Sequence, residues 1–255
     1  MQKIAFRHVS LAALALVLGA CGGGDSSPSP PPNPDSPQGI FSGRSSNNFD
    51  IGGLVLETNE YYFFYAQGNV IFGVVQGNMS AANGTYTSSN GIDFSLINGR
   101  IPATVSGNYV PKQALQGTVS EAAGSITFNA TYQSSYDTPA SLASAAGTYS
   151  GAAATGNGGS SPILLTILSN GTFTGTSPGT SGLCSFSGTL TPRATGKNVF
   201  NVSVTFGNAN CALGTTTVNG YAVPVAGTNG STTTLYAVGL LPDRSNGFIA
   251  IGQKQ

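Results

Sequence analysis

Val199-Phe200-Asn201-Val202-Ser203-Val204-Thr205-Phe206 alternates between two chemistries. Phe200, Val202, Val204 and Phe206 are apolar, while Asn201, Ser203 and Thr205 are polar. A period of two puts one set on the buried face of a β-strand and the other on the wet face. The pattern recurs in Ile126-Thr127-Phe128-Asn129-Ala130-Thr131-Tyr132 and in Ser185-Phe186-Ser187-Gly188-Thr189-Leu190-Thr191. Extended outward, it gives about sixteen or seventeen candidate strands over residues 39–255. Asn-Gly pairs at Asn83, Asn90, Asn98, Asn170, Asn219, Asn229 and Asn246 punctuate them. Asn-Gly suits the type I′ hairpin turn, in which both central residues need positive φ. Where such pairs run into Asn-X-Thr sequences, they read as turns before Thr-rich strands rather than as glycosylation acceptors.

The expected class is therefore all-β, in two antiparallel meander modules at 39–137 and 147–255. The only helical candidate, Thr138 to Ala145, has Thr138 as N-cap, Pro139 at the first helical position and Gly147 as its stop. It forms the expected linker, 138–146. Gly39-Ile40-Phe41-Ser42-Gly43 before the first strand set is echoed by Gly147-Thr148-Tyr149-Ser150-Gly151 after the linker, which suggests duplication. A second echo, Asn83-Gly84-Thr85-Tyr86-Thr87 with Asn170-Gly171-Thr172-Phe173-Thr174, has a different offset and fits shared hairpin chemistry. Eight-stranded meanders lose their edges by closing, so each module is expected to be a small barrel, with a sandwich as the alternative. Gly73, Gly107, Gly117 and Gly188 within strands suit the sharp bends of a small barrel.

The N-terminus has a different character. Lys3 and Arg7 precede a run of Ala, Leu and Val from Val9 to Leu18, too short to span a bilayer, and Leu18-Gly19-Ala20-Cys21 follows. These four residues resemble the lipobox of bacterial lipoproteins. The resemblance implies a signal peptide, 1–20, cleaved before Cys21, with a diacylglyceryl group on the Cys21 thiol and acylation of the new amine. Gly22, in place of Asp, implies the outer membrane. A cleaved signal with an incidental cysteine is the alternative. Residues 21–38 continue as a Gly-, Ser- and Pro-rich tether with nothing apolar to bury. At about 3 Å per residue it could hold a domain some 50 Å from the lipid.

With Cys21 lipidated, Cys184 and Cys211 remain as an even pair outside the cytoplasm, which suggests a disulfide. If Pro192 to Lys197 turn the chain, strand 184–191 pairs with 198–206 and brings Cys184 towards the loop carrying Cys211. A thiol nucleophile or metal ligand is the alternative, but no histidine is left to partner either thiol once the signal, with His8, is removed.

Charged residues are 7% of the chain. The mature chain keeps seven Lys/Arg of nine, having lost Lys3 and Arg7, against nine Asp/Glu, a net charge of −2. No basic patch exists to track phosphates, so nucleic acid is not an expected partner. Ser-His-Asp and Cys-His machinery and histidine zinc sites are excluded with His8. Paired carboxylates could act without histidine. Glu57 and Glu60 flank Thr58-Asn59, however, and read as solubility groups at a hairpin tip. Lys112 and Lys197, candidates for a Ser-Lys dyad, read as solvated lysines beside turns, and Asp243-Arg244 as a local ion pair. No cofactor is expected.

In Tyr61-Tyr62-Phe63-Phe64-Tyr65, Tyr61, Phe63 and Tyr65 face one way and Tyr62 and Phe64 the other. One face belongs in a core. The other, Tyr62 and Phe64, either packs on the second module or forms a recognition surface for a glycan or protein.

The stretch from Cys184-Ser185-Phe186-Ser187-Gly188-Thr189-Leu190-Thr191-Pro192-Arg193 through Gly196 to Phe206-Gly207 and Cys211 is similar to one in uncharacterised proteobacterial lipoproteins. That resemblance implies an envelope location and carries no catalytic residue. The leading expectation is a membrane-anchored, non-enzymatic lipoprotein with a binding or structural role. The alternatives are a carrier of a small apolar ligand inside a barrel and a histidine-independent enzyme.

Overall fold

The computed structural model describes residues 35–68, 70–156, 159–226 and 232–255. The signal segment, Cys21 and the tether up to residue 34 lie outside them. The first half of the described chain contains β1 (Gly39–Ser45), β2 (Asp50–Val55), β3 (Glu60–Gln67), β4 (Val70–Asn78), β5 (Ser80–Ala82), β6 (Thr85–Ser95), β7 (Gly99–Val110), β8 (Ala114–Glu121) and β9 (Gly124–Tyr132). Consecutive strands pair antiparallel, except β4 and β5. β4 also pairs with β6 and β1 with β9, so eight strands close a barrel and β5 is a side ribbon on β6. A 3-10 turn, Ser134–Asp137, and a single helical turn, α1 (Leu142–Ala145), lead to the second half. There β10 (Gly147–Thr155), β11 (Gly159–Ile167), β12 (Thr172–Pro178), β13 (Leu183–Pro192), β14 (Phe200–Phe206), β15 (Thr217–Val225), β16 (Thr234–Leu240) and β17 (Gly247–Lys254) form a second closed barrel. The structure is thus two tandem up-and-down barrels, and the sandwich alternative falls away.

The Gly-X-aromatic-Ser-Gly echo marks equivalent places. Phe41 and Tyr149 are each buried inside their own barrel. Gly43 and Gly151 each pass so close to the last strand of their barrel that a Cβ would collide with the carbonyl oxygen of Asn129 or Ile251. These are the points where first and last strands meet, and only a bare backbone permits that approach. The second echo is not equivalent: Asn83 precedes β6, the fifth barrel strand, whereas Asn170 precedes β12, the third of its barrel.

Several local expectations are corrected. Among the described Asn-Gly pairs, only Asn83-Gly84 has both residues at positive φ, 52° and 75°. Gly91 follows a bulge in β6, and Asn219-Gly220 lies inside β15. Asn229 lies outside the described residues. The helix does not start at Thr138. Its N-cap is Ser141, and the preceding residues are extended or in the 3-10 turn. The end of the tether is not a free linker either: the Asp35 carboxylate accepts hydrogen bonds from Tyr109 Oη (2.8 Å) and the Asn83 amide (2.9 Å).

Among the described residues, three apolar clusters hold the fold together. Phe41, Tyr61, Phe63, Tyr86 and Phe128 help fill the first barrel. Phe173, Phe200, Phe206 and Phe248 help fill the second. α1 covers one end of the second barrel, with Ala145 fully buried and its carbonyl accepting a hydrogen bond from Tyr149 Oη at 2.8 Å. The third cluster lies outside both barrels. Leu54, Tyr62, Phe64, Val74, Ile92 and Phe94 from β2, β3, β4 and β6 meet Val223, Val238 and Ile249 from β15, β16 and β17, and Tyr136 of the connecting turn joins them. This seam explains the aromatic run: β3 is buried on both faces, so neither of its side-chain sets is polar.

Candidate binding clefts at the barrel seam

Tyr62 and Phe64 retain 3% and 6% of their exposure, so they present no surface to a partner in this structure. They pack on the second barrel. Tyr62 meets the Tyr221 ring edge-on at 5.7 Å, and Phe64 meets Tyr236 at 6.1 Å. Burying each aromatic contributes about 2–3 kcal/mol, and each edge-to-face pair about 1 kcal/mol more.

The β2–β3 tip is likewise inside the seam rather than in solvent. Arg193 of the second barrel holds Glu57 with Nε at 3.0 Å and Nη2 at 2.5 Å, and its Nη1 donates to Asn201 Oδ1 at 2.9 Å. Burial works against the Arg193 charge, but Glu57 more than offsets it and the guanidinium pKa rises. Glu60 accepts from Tyr62 Oη, Gln76 Nε2 and, across the seam, Tyr221 Oη at 3.2 Å. Burial, reinforced by Glu60, pushes the Tyr62 phenol far up, so it stays protonated and donating. Lys112 and Lys197 are not simply solvated: both bind Asp137, at 3.0 and 2.7 Å. Lys197 first, then Lys112 and Tyr132, bring the Asp137 carboxyl down to about 2 against a smaller opposing effect of burial. Arg244 does not pair with Asp243, which binds Ser245. Its Nη2 crosses to the Gln76 carbonyl at 2.8 Å.

Two clefts flank the seam, with Tyr221 lining both. The first, about 540 Å³, has apolar walls: Ile40, Leu54 and Phe64 on one side, Val223, Tyr236 and Ile251 on the other. Gly52 leaves room in it, and the exposed Arg44–Asp50 pair stands at its rim. The second, about 500 Å³, is the more polar of the two, lined by Glu60, Gln76, Arg244 and the outward side chains of β13 to β15, with Leu240, Leu241 and Pro242 as its apolar part. A smaller cavity of about 180 Å³ lies within the second barrel, where Ala153, Ala250, Ala237 and Ala222 stand side by side on four neighbouring strands. The barrel interior therefore offers less than the roughly 300 Å³ of a usual small-ligand site, and the seam offers more.

Cys184 and Cys211 are joined as expected, with Cα atoms 4.7 Å apart, tying β13 to the β14–β15 loop. The strand register that brings them together is Phe186 opposite Phe206, close to the expected one. Among the described residues no group of three or more His, Cys, Asp or Glu is placed to hold a metal ion.

Sequence reasoning missed a carboxyl inside the first barrel. Asp93 is 7% exposed, and its two carboxylate oxygens share the one hydrogen bond that Tyr65 Oη donates, at 2.8 and 3.0 Å. Burial pushes its pKa up to about 7, with Glu121 adding to the rise and Tyr65 opposing it. Local alternation with Ile92 and Phe94 reads Asp93 as the wet-face residue; because Ile92 and Phe94 point into the seam, Asp93 points into the barrel instead. No family model, curated protein or solved structure matches the chain.

Proposed function

We propose that the protein is a non-enzymatic, ligand-binding lipoprotein of the bacterial cell envelope, anchored in the outer membrane through acylated Cys21. We place its site for a small apolar ligand in the seam cleft rather than inside a barrel. The lipobox-like Leu18-Gly19-Ala20-Cys21 supports the anchor, and acyl chains at about 0.8 kcal/mol per buried CH₂ would make it durable. The apolar cleft of about 540 Å³ carries the binding reading. Its size suits a small molecule, and its walls are rigid because they are the outer faces of closed barrels.

Gly52 supplies the test. A Cβ at Gly52 would meet nothing closer than Phe64 Cβ at 4.0 Å, so the backbone there accepts a side chain and Gly52→Phe directs a ring into the cleft. The mature chain carrying Cys21→Ser, free of acyl chains and detergent, is titrated with the apolar dye N-phenylnaphthylamine. Saturable binding with a Kd of about 10 μM or tighter is expected. Gly52→Phe abolishes it and leaves the melting temperature in place. Binding unaffected by Gly52→Phe, or no saturable binding, defeats the assignment. Retention of the native chain in the membrane fraction, and its loss with Cys21→Ser, tests the anchor separately.

A further inference from the structure

The polar cleft on the other side of the seam has a chemistry of its own. Its floor is built from two cross-strand rungs, Thr191–Asn201–Tyr221 and Thr189–Ser203–Asn219, each directly in register across β13, β14 and β15. Outward side chains on neighbouring strands stand about 4.7–4.9 Å apart, so the rungs form a flat grid of hydroxyl and amide groups. Two rungs of the first barrel face it, Glu60–Asn78 and Tyr62–Gln76. Arg244 closes the cleft from the turn between β16 and β17.

Two polar atoms here lack partners. Gln76 is 4% exposed. Its Nε2 donates to Glu60, which fixes the amide orientation, and its Oε1 accepts nothing. Arg244 Nη2 donates to the Gln76 carbonyl, but its buried Nε has no acceptor. Leaving such groups unmet costs about 1–3 kcal/mol each, but both atoms are closed off from solvent, so a ligand meets the exposed side chains of Thr189, Thr191, Asn201 and Asn219 instead. These hydroxyl and amide groups both donate and accept, as a ligand hydroxyl does.

We propose that this cleft binds a neutral saccharide of about disaccharide size. Glu60 and Arg244 cancel in charge, so no net field favours a phosphate or an ammonium group. The remaining lining mixes amide, hydroxyl and phenol groups, the partners a polyol uses, with Val202, Leu240, Leu241 and Pro242, and Tyr221 adds a ring for the apolar face of a sugar. The volume of about 500 Å³ is within the usual range for small ligands. The proposal does not depend on the apolar cleft, which lies on the other side of Tyr221.

Maltose, cellobiose and diacetylchitobiose are titrated calorimetrically into the full lipidated chain in a polyoxyethylene detergent, with glucose 6-phosphate as the charged control. At least one disaccharide is expected to bind with a Kd of about 1 mM or tighter. Thr191 and Asn219 are exposed and lie outside the seam core, so Thr191→Ala with Asn219→Ala should leave the melting temperature unchanged. The pair should weaken binding roughly tenfold, the loss of one to two hydrogen bonds, while Gly52→Phe should not alter it. Absence of binding by all three disaccharides overturns the proposal. So does binding that survives the double substitution, or glucose 6-phosphate binding as tightly as the neutral sugars.

Discussion

Asp93→Asn should stabilise the protein, and by an amount that depends on pH. In the folded chain the Asp93 carboxyl titrates at about 7, against an ordinary value of 3.8. The folded state therefore holds a proton that the unfolded state has already released between those two values. The contribution of Asp93 to stability is greatest below about pH 4, falls as pH rises through the window, and levels off above 7. At 1.36 kcal/mol per pKa unit the full loss is about 4 kcal/mol. Asparagine keeps an oxygen to accept the Tyr65 hydroxyl and removes the charge. Wild type and Asp93→Asn should thus be nearly equal at pH 4, and the variant should gain up to about 4 kcal/mol at pH 8. For a folded region of this size that is roughly 10 °C in melting temperature. Urea unfolding followed by near-ultraviolet circular dichroism, at half-unit steps from pH 4 to 8, reads the difference directly. A gap that does not change with pH, or a variant less stable than wild type at pH 8, refutes the argument that burial beside Glu121 raises this carboxyl.

Replacing Cys184 and Cys211 together by Ser opens a loop with a sequence separation of 27 and should cost roughly 3.5 kcal/mol on the chain-entropy model, measured by chemical denaturation. The intact oxidised chain should show no alkylatable thiol at either position by mass. Arg193→Ala leaves Glu57 at 17% side-chain exposure without its partner and should cost about 3 kcal/mol, and adding Glu57→Gln should recover part of it. Strict additivity of the two substitutions would mean that the pair does not couple the barrels.

The strands were legible because period two survives wherever one face is wet, as along Val199 to Phe206. β3 was harder. Tyr61 to Tyr65 show that both faces are apolar, but local sequence does not say what covers the second face. That depends on Val223, Val238 and Ile249, more than 150 residues further along the chain, whose own alternation reads as an ordinary buried face. The tip carboxylates were misread for the same reason: Glu57 and Glu60 follow tip chemistry locally, and only the docked second barrel buries them. Asn-Gly overstated the turns because Gly220 serves a different need, close approach to the Val238 carbonyl, and not a positive φ. Both clefts are products of docking, so no single stretch of sequence encodes either.

The two barrels share a strand plan but not a skin. In the second, the outer face of β15 to β17 carries Val223, Val238 and Ile249 into the seam. In the first, the matching face of β7 to β9 is three rungs of hydroxyls and amides, Thr104–Ser120–Ser125, Ser106–Thr118–Thr127 and Asn108–Gln116–Asn129. A head-to-tail contact that does not close on itself would otherwise invite a third unit, then a fourth, and grow into a fibre. Here the docking face exists on one copy only. The first barrel cannot offer a neighbour, on this face, the greasy patch that the second offers to it.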